Sequence, residues 1–266
     1  MTDKFVTLDR TFHDLPKQVN ESDDTDFSQW FATDRRIRWP DLIQEYRVII
    51  LSEAGSGKTT EIRHSACMLR NEGNSAFFLR LEHIPASFED SFEEGTYEEF
   101  VEWLASGNEG WFFLDSVDEA RLRNPSDFEL AIRKLSKRIS TAKDRAHIVI
   151  TGRTTAWRPK TDLQICADCF PYKSIATSKL DPLANNIEPE EAIQPGESVR
   201  TKTNSKEGSD SFFRIVALDD LASDQIEVFI KARGITDSEA FLDAVERKDA
   251  WSFTTRPQDL DELTEF

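Results

Sequence analysis

The segment Ser52-Glu-Ala-Gly-Ser-Gly-Lys-Thr-Thr60 holds the residues best suited to chemistry. It ends in Gly57-Lys58-Thr59, which closes a pattern of Gly, four residues, then Gly-Lys-Ser/Thr. Small residues in such a turn let successive backbone N–H groups point inward and cradle phosphate oxygens. A helix that starts at the turn adds its partial positive charge. Lys58 would reach the β- and γ-phosphates as a point charge, and the Thr59 hydroxyl would ligate Mg²⁺. The expectation is a site for ATP or ADP with Mg²⁺, built from Ser52, Glu53, Ala54, Gly55, Ser56, Gly57, Lys58, Thr59 and Thr60. Ser52 stands where the pattern has its first glycine, and Gly55 supplies a second flexible position.

The second half of such a site is an acid at the end of a buried strand. Trp111-Phe-Phe-Leu-Asp115 fits, with Asp115 as the second Mg²⁺ group, acting through water. Asp118 or Glu119, just beyond it, could orient the attacking water and accept its proton. Arg153 follows another apolar run, in Ile150-Thr151-Gly152-Arg153. From there it could reach the γ-phosphate and stabilise developing charge. The catalytic candidates are therefore Lys58, Asp118, Glu119 and Arg153.

These groups need strands that deliver them to one edge. Arg47–Leu51, Ala76–Leu81, Trp111–Leu114, His147–Thr151 and Phe212–Ala217 read as strands. Thr59–Leu69, with Ile62, Ala66 and Leu69 on one face, reads as a helix. So do Tyr97–Ala105, with Phe100, Val101 and Leu104 toward the core, and Pro125–Ile139, capped near Asn124 or Ser126. The alternation predicts an α/β fold with a mainly parallel sheet. Between Thr154 and Ser211 the sequence offers only a short strand near Leu163–Ile165, with an insertion expected over about 176–211. Ser223–Ala232, Ser238–Arg247 and a segment after Pro257 then read as helices. The expected division is a lead-in over 1–40, a core over 41–218 and the start of a small helical domain over 219–266.

Composition narrows the function. The net charge of −17 opposes nucleic-acid backbones, so direct nucleic-acid binding is not expected. No apolar run approaches the ~20 residues of a membrane helix. The N-terminus mixes both charges and lacks a secretory signal, so a cytoplasmic location is expected. Leu81–Phe100 carries seven acidic residues and no Lys or Arg; it reads as a solvated face, with docking of a basic partner as the sharper alternative. Cys166-Ala-Asp-Cys169 has metal-ligand spacing but lacks two further ligands nearby, so it reads as a pair of reduced thiols in a loop. Trp157 reads as a core aromatic.

The combination resembles the NACHT branch of the STAND class of P-loop NTPases. Trp111–Glu119 is similar to that branch's Walker B form: four apolar residues, Asp, a small residue, an apolar residue, then Asp-Glu. Thr151-Gly152-Arg153 is similar to its sensor segment, with Gly152 in place of the usual Ser. Leu218–Ile226 resembles the linker and first helix of its small helical domain, and Thr255-Arg256-Pro257-Gln-Asp-Leu260 resembles its proline motif. The resemblance spans about Asp41–Glu265. It implies a three-layer sandwich with the sensor strand between the Walker A and Walker B strands, and Pro257 near the adenine. It implies a slow ATPase switch, closed with ADP and open with ATP. A protein trigger and nucleotide-dependent self-association would go with the switch, often in prokaryotic antiviral defence. Family members carry fused sensor and effector modules, so a longer parent protein is expected.

Three other readings stand beside this one. An AAA-type remodeller would place Glu directly after Asp115, where Ser116 stands. A helicase is suggested by Asp118-Glu119-Ala120, but there the triplet would end the strand itself. A non-catalytic module could use ATP as a structural ligand.

Overall fold

The computed structural model describes residues 5–15, 36–172 and 213–265. The insertion expected over about 176–211 lies wholly outside them. In chain order the described elements are β1 (Thr11–Asp14), β2 (Ile37–Arg38), α1 (Trp39–Leu42), β3 (Arg47–Leu51), α2 (Lys58–Asn71), β4 (Ser75–Arg80), β5 (Phe92–Glu94) and α3 (Tyr97–Ala105). Next come β6 (Gly110–Asp115), α4 (Val117–Arg123), α5 (Asp127–Arg138), β7 (Ala146–Gly152), α6 (Pro159–Cys169) and β8 (Arg214–Leu218). The chain ends with α7 (Ser223–Ala232), α8 (Ser238–Arg247) and α9 (Pro257–Thr264).

The strands form one mixed, mostly parallel sheet in the order β2-β1-β8-β3-β7-β6-β4-β5. The five central strands β8, β3, β7, β6 and β4 run parallel. The flanking pairs β2–β1, β1–β8 and β4–β5 are antiparallel. β7 lies between β3 and β6, the strand order the resemblance implies. Because β3, β6 and β7 are parallel neighbours, their carboxyl ends deliver the loop after Leu51, Asp115 and Arg153 to one edge.

Strand alternation gives the sheet two apolar faces. On one face Val48, Ile50, Phe78, Phe113, Val149 and Val216 pack against Ile62, Ala66 and Leu69 of α2, as their shared helical stripe predicts. On the other, Ile49, Leu51, Phe77, Phe112, Leu114 and Ile150 pack against α3, α4, α5 and α6. A third cluster joins Ile226, Phe229, Ile230 and Leu260 of the C-terminal helices to Leu8 of the N-terminal segment.

Several expectations need correction. Residues before 41 are more than a lead-in, because β1 and β2 extend the sheet. Val101 faces solvent at 46% exposure, and Trp103 (2%) takes the core position with Phe100. Three residues on from Phe100 keeps that face, whereas one residue rotates away from it. The short strand near Leu163–Ile165 is instead part of α6, which opens on Pro159 at a position where its missing N–H costs nothing. Cys166 and Cys169 are therefore buried on a helix and not in a loop. Pro125 lies outside α5, whose N-terminal cap position is Ser126. The acidic run over 81–100 lies at the surface as expected, with none of its acids buried, and several of them pair within the chain. Glu93 meets Arg63 and Arg80, Glu99 meets Arg70 at 2.9 Å, and Glu89 meets Arg138 at 2.9 Å.

Candidate functional site

The loop after β3 is closed at its base. Ser52 N donates to Gly152 O at 3.2 Å, extending the β3–β7 ladder. The Ser52 and Ser56 hydroxyls bond at 2.7 Å, both buried. The serine that departs from the glycine pattern thus ties the two sides of the turn together. Gly55 (φ 76°) and Gly57 (φ 87°) adopt the left-handed conformation that side chains resist. A Cβ on Gly55 would also come within 2.9 Å of Gln258 Oε1.

Consecutive loop carbonyls are held by side chains and by one backbone amide of α9. Lys58 Nζ donates to Ser52 O (3.1 Å) and Glu53 O (3.0 Å). Arg256 Nη1 donates to Ala54 O at 3.4 Å, and Gln258 N to Gly55 O at 3.2 Å. Arg10 Nη1 donates to Ser56 O at 2.9 Å. Burial lowers the Lys58 pKa, while the nearby carboxylates of Asp118 and Asp115 act against that shift.

Asp115 is fully buried at the end of β6. Its two oxygens accept from Thr151 Oγ1 (2.6 Å) and Thr59 Oγ1 (2.8 Å). The two residues expected to hold Mg²⁺ therefore touch, and both offer hard oxygen donors that suit this ion. Ser116 then takes a left-handed turn (φ 69°) that starts α4. The turn brings Asp118 to Arg153 Nε at 2.6 Å and Glu119 to Arg80 Nη1 at 3.2 Å. Asp118 is the more enclosed acid, at 14% side-chain exposure against 38% for Glu119. Gly152 allows the close approach, since a Cβ there would lie 3.1 Å from Val117 Cβ.

Most of these groups open onto one cleft of about 660 Å³. Ala54–Glu61, Asp118, Glu119 and Arg153 line one side, and Pro257 and Gln258 of α9 and Phe229 of α7 the other. Phe5, Val6 and Leu8 add an apolar wall, with Phe5 stacked on His64 at 3.6 Å. Asp115 and Ser52 lie just beneath the cleft surface, buried. Every other expected site residue except Glu53 lines it directly, and Glu53 accepts from Lys58.

Trp157 packs edge-on to Phe128 in the core. Cys166 and Cys169 are buried in the same core. Among the described residues no group of three or more His, Cys, Asp or Glu side chains could hold a metal ion by itself.

Sequence reasoning missed Thr151 as an Asp115 partner, Arg80, Arg256 and above all Arg10. Thr151 could have been found, because it stands two residues before Arg153 on an inward strand position. The arginines carry no local signal. Comparison with protein-family models and with curated proteins gives no match for this chain.

Proposed function

We propose that the chain binds ATP with Mg²⁺ and hydrolyses it slowly, as the ATPase core of a STAND/NACHT-type switch. The observation that carries this reading is the Thr59–Asp115–Thr151 arrangement at the base of a turn whose successive carbonyls are all hydrogen-bonded, two of them by Lys58. A strand-loop-helix unit with its acid on a parallel strand two places away is what a phosphate-binding loop needs.

In this reading Ser52–Thr60 holds the phosphates and Lys58 neutralises the outer ones. Thr59 and Asp115 would hold Mg²⁺, which supplies charge neutralisation of the phosphoryl oxygens. Asp118 is the better candidate to orient water, because it is enclosed and acts electrostatically on Lys58, whereas Glu119 is drawn to Arg80. Arg153 would exchange Asp118 for the γ-phosphate. Phe5, Val6, Leu8, Phe229 and Pro257 offer apolar surface for the base. A cleft shared between sheet edge and C-terminal helices is where loss of a γ-phosphate could free one body from the other. The protein trigger, the nucleotide-dependent self-association, the cytoplasmic location and a role in antiviral defence follow from the resemblance and belong to the same proposal. No helix among the described residues is long and apolar enough to cross a membrane.

Calorimetry with ADP and ATP plus Mg²⁺, on wild type and Lys58→Ala, tests the binding step. Equal affinity in both proteins would end the proposal. A second reading, ATP as a structural ligand without turnover, is favoured by one observation: both candidate bases already sit in ion pairs. Phosphate release in a single turnover separates the two, and its loss in Asp118→Asn with ADP affinity retained would establish hydrolysis at this site.

A further inference from the structure

Arg10 is 2% exposed, yet it lies at the edge of the cleft. Its Nη1 donates to Ser56 O at 2.9 Å and its Nη2 to Asp219 O at 2.5 Å. Among the described residues its Nε has no hydrogen-bond partner. The same guanidinium thus holds the loop and the start of the linker between β8 and α7. Burying an arginine is costly unless charge and hydrogen bonds compensate it. The compensation here comes from Glu61, Asp219 and Asp220, whose negative charges favour the cation. Glu61 is itself buried and fixed by Trp39 Nε1 at 2.9 Å.

The contact with Ser56 has a directional consequence. No peptide bond among the described residues is cis. In a trans peptide the C=O of one residue and the N–H of the next point in opposite directions. Holding Ser56 O therefore turns the Gly57 N–H away from Arg10. A cation on the carbonyl also polarises the peptide and makes that N–H a stronger donor. Gly57 needs this help, since as glycine at φ 87° it has the least intrinsic restriction on its orientation.

We propose that Arg10 is a positioning residue: it aims and polarises the Gly57 amide toward a bound phosphate, and through Asp219 it makes that aim depend on the hinge of the C-terminal helices. The proposal rests on reading Ser52–Thr60 as a phosphate loop. Its ligand class is an adenine nucleotide carrying at least a β-phosphate. Movement of the hinge would pull Arg10 from Ser56 O and loosen the cradle. Reciprocally, filling the cradle would stabilise the docked hinge.

The test compares wild type, Arg10→Lys and Arg10→Gln by calorimetry with ADP plus Mg²⁺ and, separately, with adenosine. Urea unfolding on the same samples checks that the variants fold. A lysine keeps the charge but cannot span both carbonyls. Affinity for ADP is expected to fall about tenfold or more, the loss of one charge-assisted hydrogen bond, while adenosine affinity stays unchanged. Unchanged ADP affinity in folded variants overturns the role of Arg10 and leaves the phosphate loop standing. A parallel loss for ADP and adenosine also overturns it, because a merely structural residue would do that. Wild type that takes up neither nucleotide removes the loop reading and this inference together.

Hydrogen exchange on wild type supplies a test that needs no variant. ADP should protect the amides of 53–57 and of 219–221 together. Protection of the first segment alone refutes the coupling.

Discussion

Replacing Gly152 by alanine tests the packing that sets the acid end of the site. Gly152 ends β7, pairs with Leu51 and accepts from Ser52 N at 3.2 Å. Its φ lies outside the left-handed region, so a side chain there meets a steric cost only. That cost has one source: the new Cβ would sit 3.1 Å from Val117 Cβ and 3.4 Å from Val117 Cγ2. Val117 is fully buried and follows the left-handed Ser116, so it has little room to yield. Overpacking of this kind costs about 1–3 kcal/mol. Removing a glycine gives back about 0.4–1 kcal/mol by restricting the unfolded chain. The net expectation is a loss of about 1 kcal/mol, or roughly 2–4 °C in Tm for a chain of this size. Urea or thermal unfolding measures it. Val117→Ala removes the Cγ2 contact at 3.4 Å but keeps the Cβ contact at 3.1 Å, so the double variant should be more stable than the two single losses predict by only part of the clash, less than about 1 kcal/mol of coupling. The displaced α4 also carries Asp118, so phosphate release should fall further than ADP affinity does. A stabilised Gly152→Ala, with strict additivity in the double variant, would refute the contact and with it the account of why glycine replaces the serine of the resembling family.

Three further expectations follow from the same geometry. Asp115→Asn keeps partners for both threonine hydroxyls, so nucleotide-free stability should change by less than about 1 kcal/mol while Mg²⁺-dependent ADP binding is lost; calorimetry with and without Mg²⁺ checks it, and full Mg²⁺ dependence in the variant would exclude Asp115 as a metal group. Burial lowers the pKa of His147, stacked between Tyr46 and Trp111. The unfolded chain then binds the proton first, so stability is full above the unfolded pKa of 6.5 and is lost as pH falls through the folded value. Unfolding free energies from pH 8 to 5 should drop less steeply in His147→Phe than in wild type. Cys67 lines the cleft while Cys166 and Cys169 are buried. Alkylation of the native protein should mark Cys67 first, slowly because burial and Glu94 raise its pKa, and ADP with Mg²⁺ should slow it further; reaction at Cys166 before unfolding would contradict the packing of α6.

What could be read from the sequence follows from how far each signal extends along the chain. β3, the loop and α2 were legible because an apolar strand, a glycine turn and a 3.6-period stripe are contiguous, and each restricts the next. α7 and α8 were legible to the residue for the same reason, with Asp237 accepting from Ala240 N as the cap of α8. α6 was not, because its buried face reads Asp162, Cys166, Cys169. That spacing is helical, but its first member is a carboxylate, which sits inside because Arg121 donates to it at 2.5 Å and Arg158 N at 2.7 Å. A polar residue balanced by a distant partner hides the periodicity that would have revealed the helix. The site divides the same way. Lys58, Thr59, Asp115, Asp118 and Arg153 are named by their own neighbours in sequence. The groups that hold the loop carbonyls act across 46 positions for Arg10 and 202 for Arg256. Both act on main-chain carbonyls, which look the same in every sequence. A residue whose target is a carbonyl leaves no complementary side chain to find, so the side chains of the candidate site are legible in one dimension and the groups that hold its loop only in three.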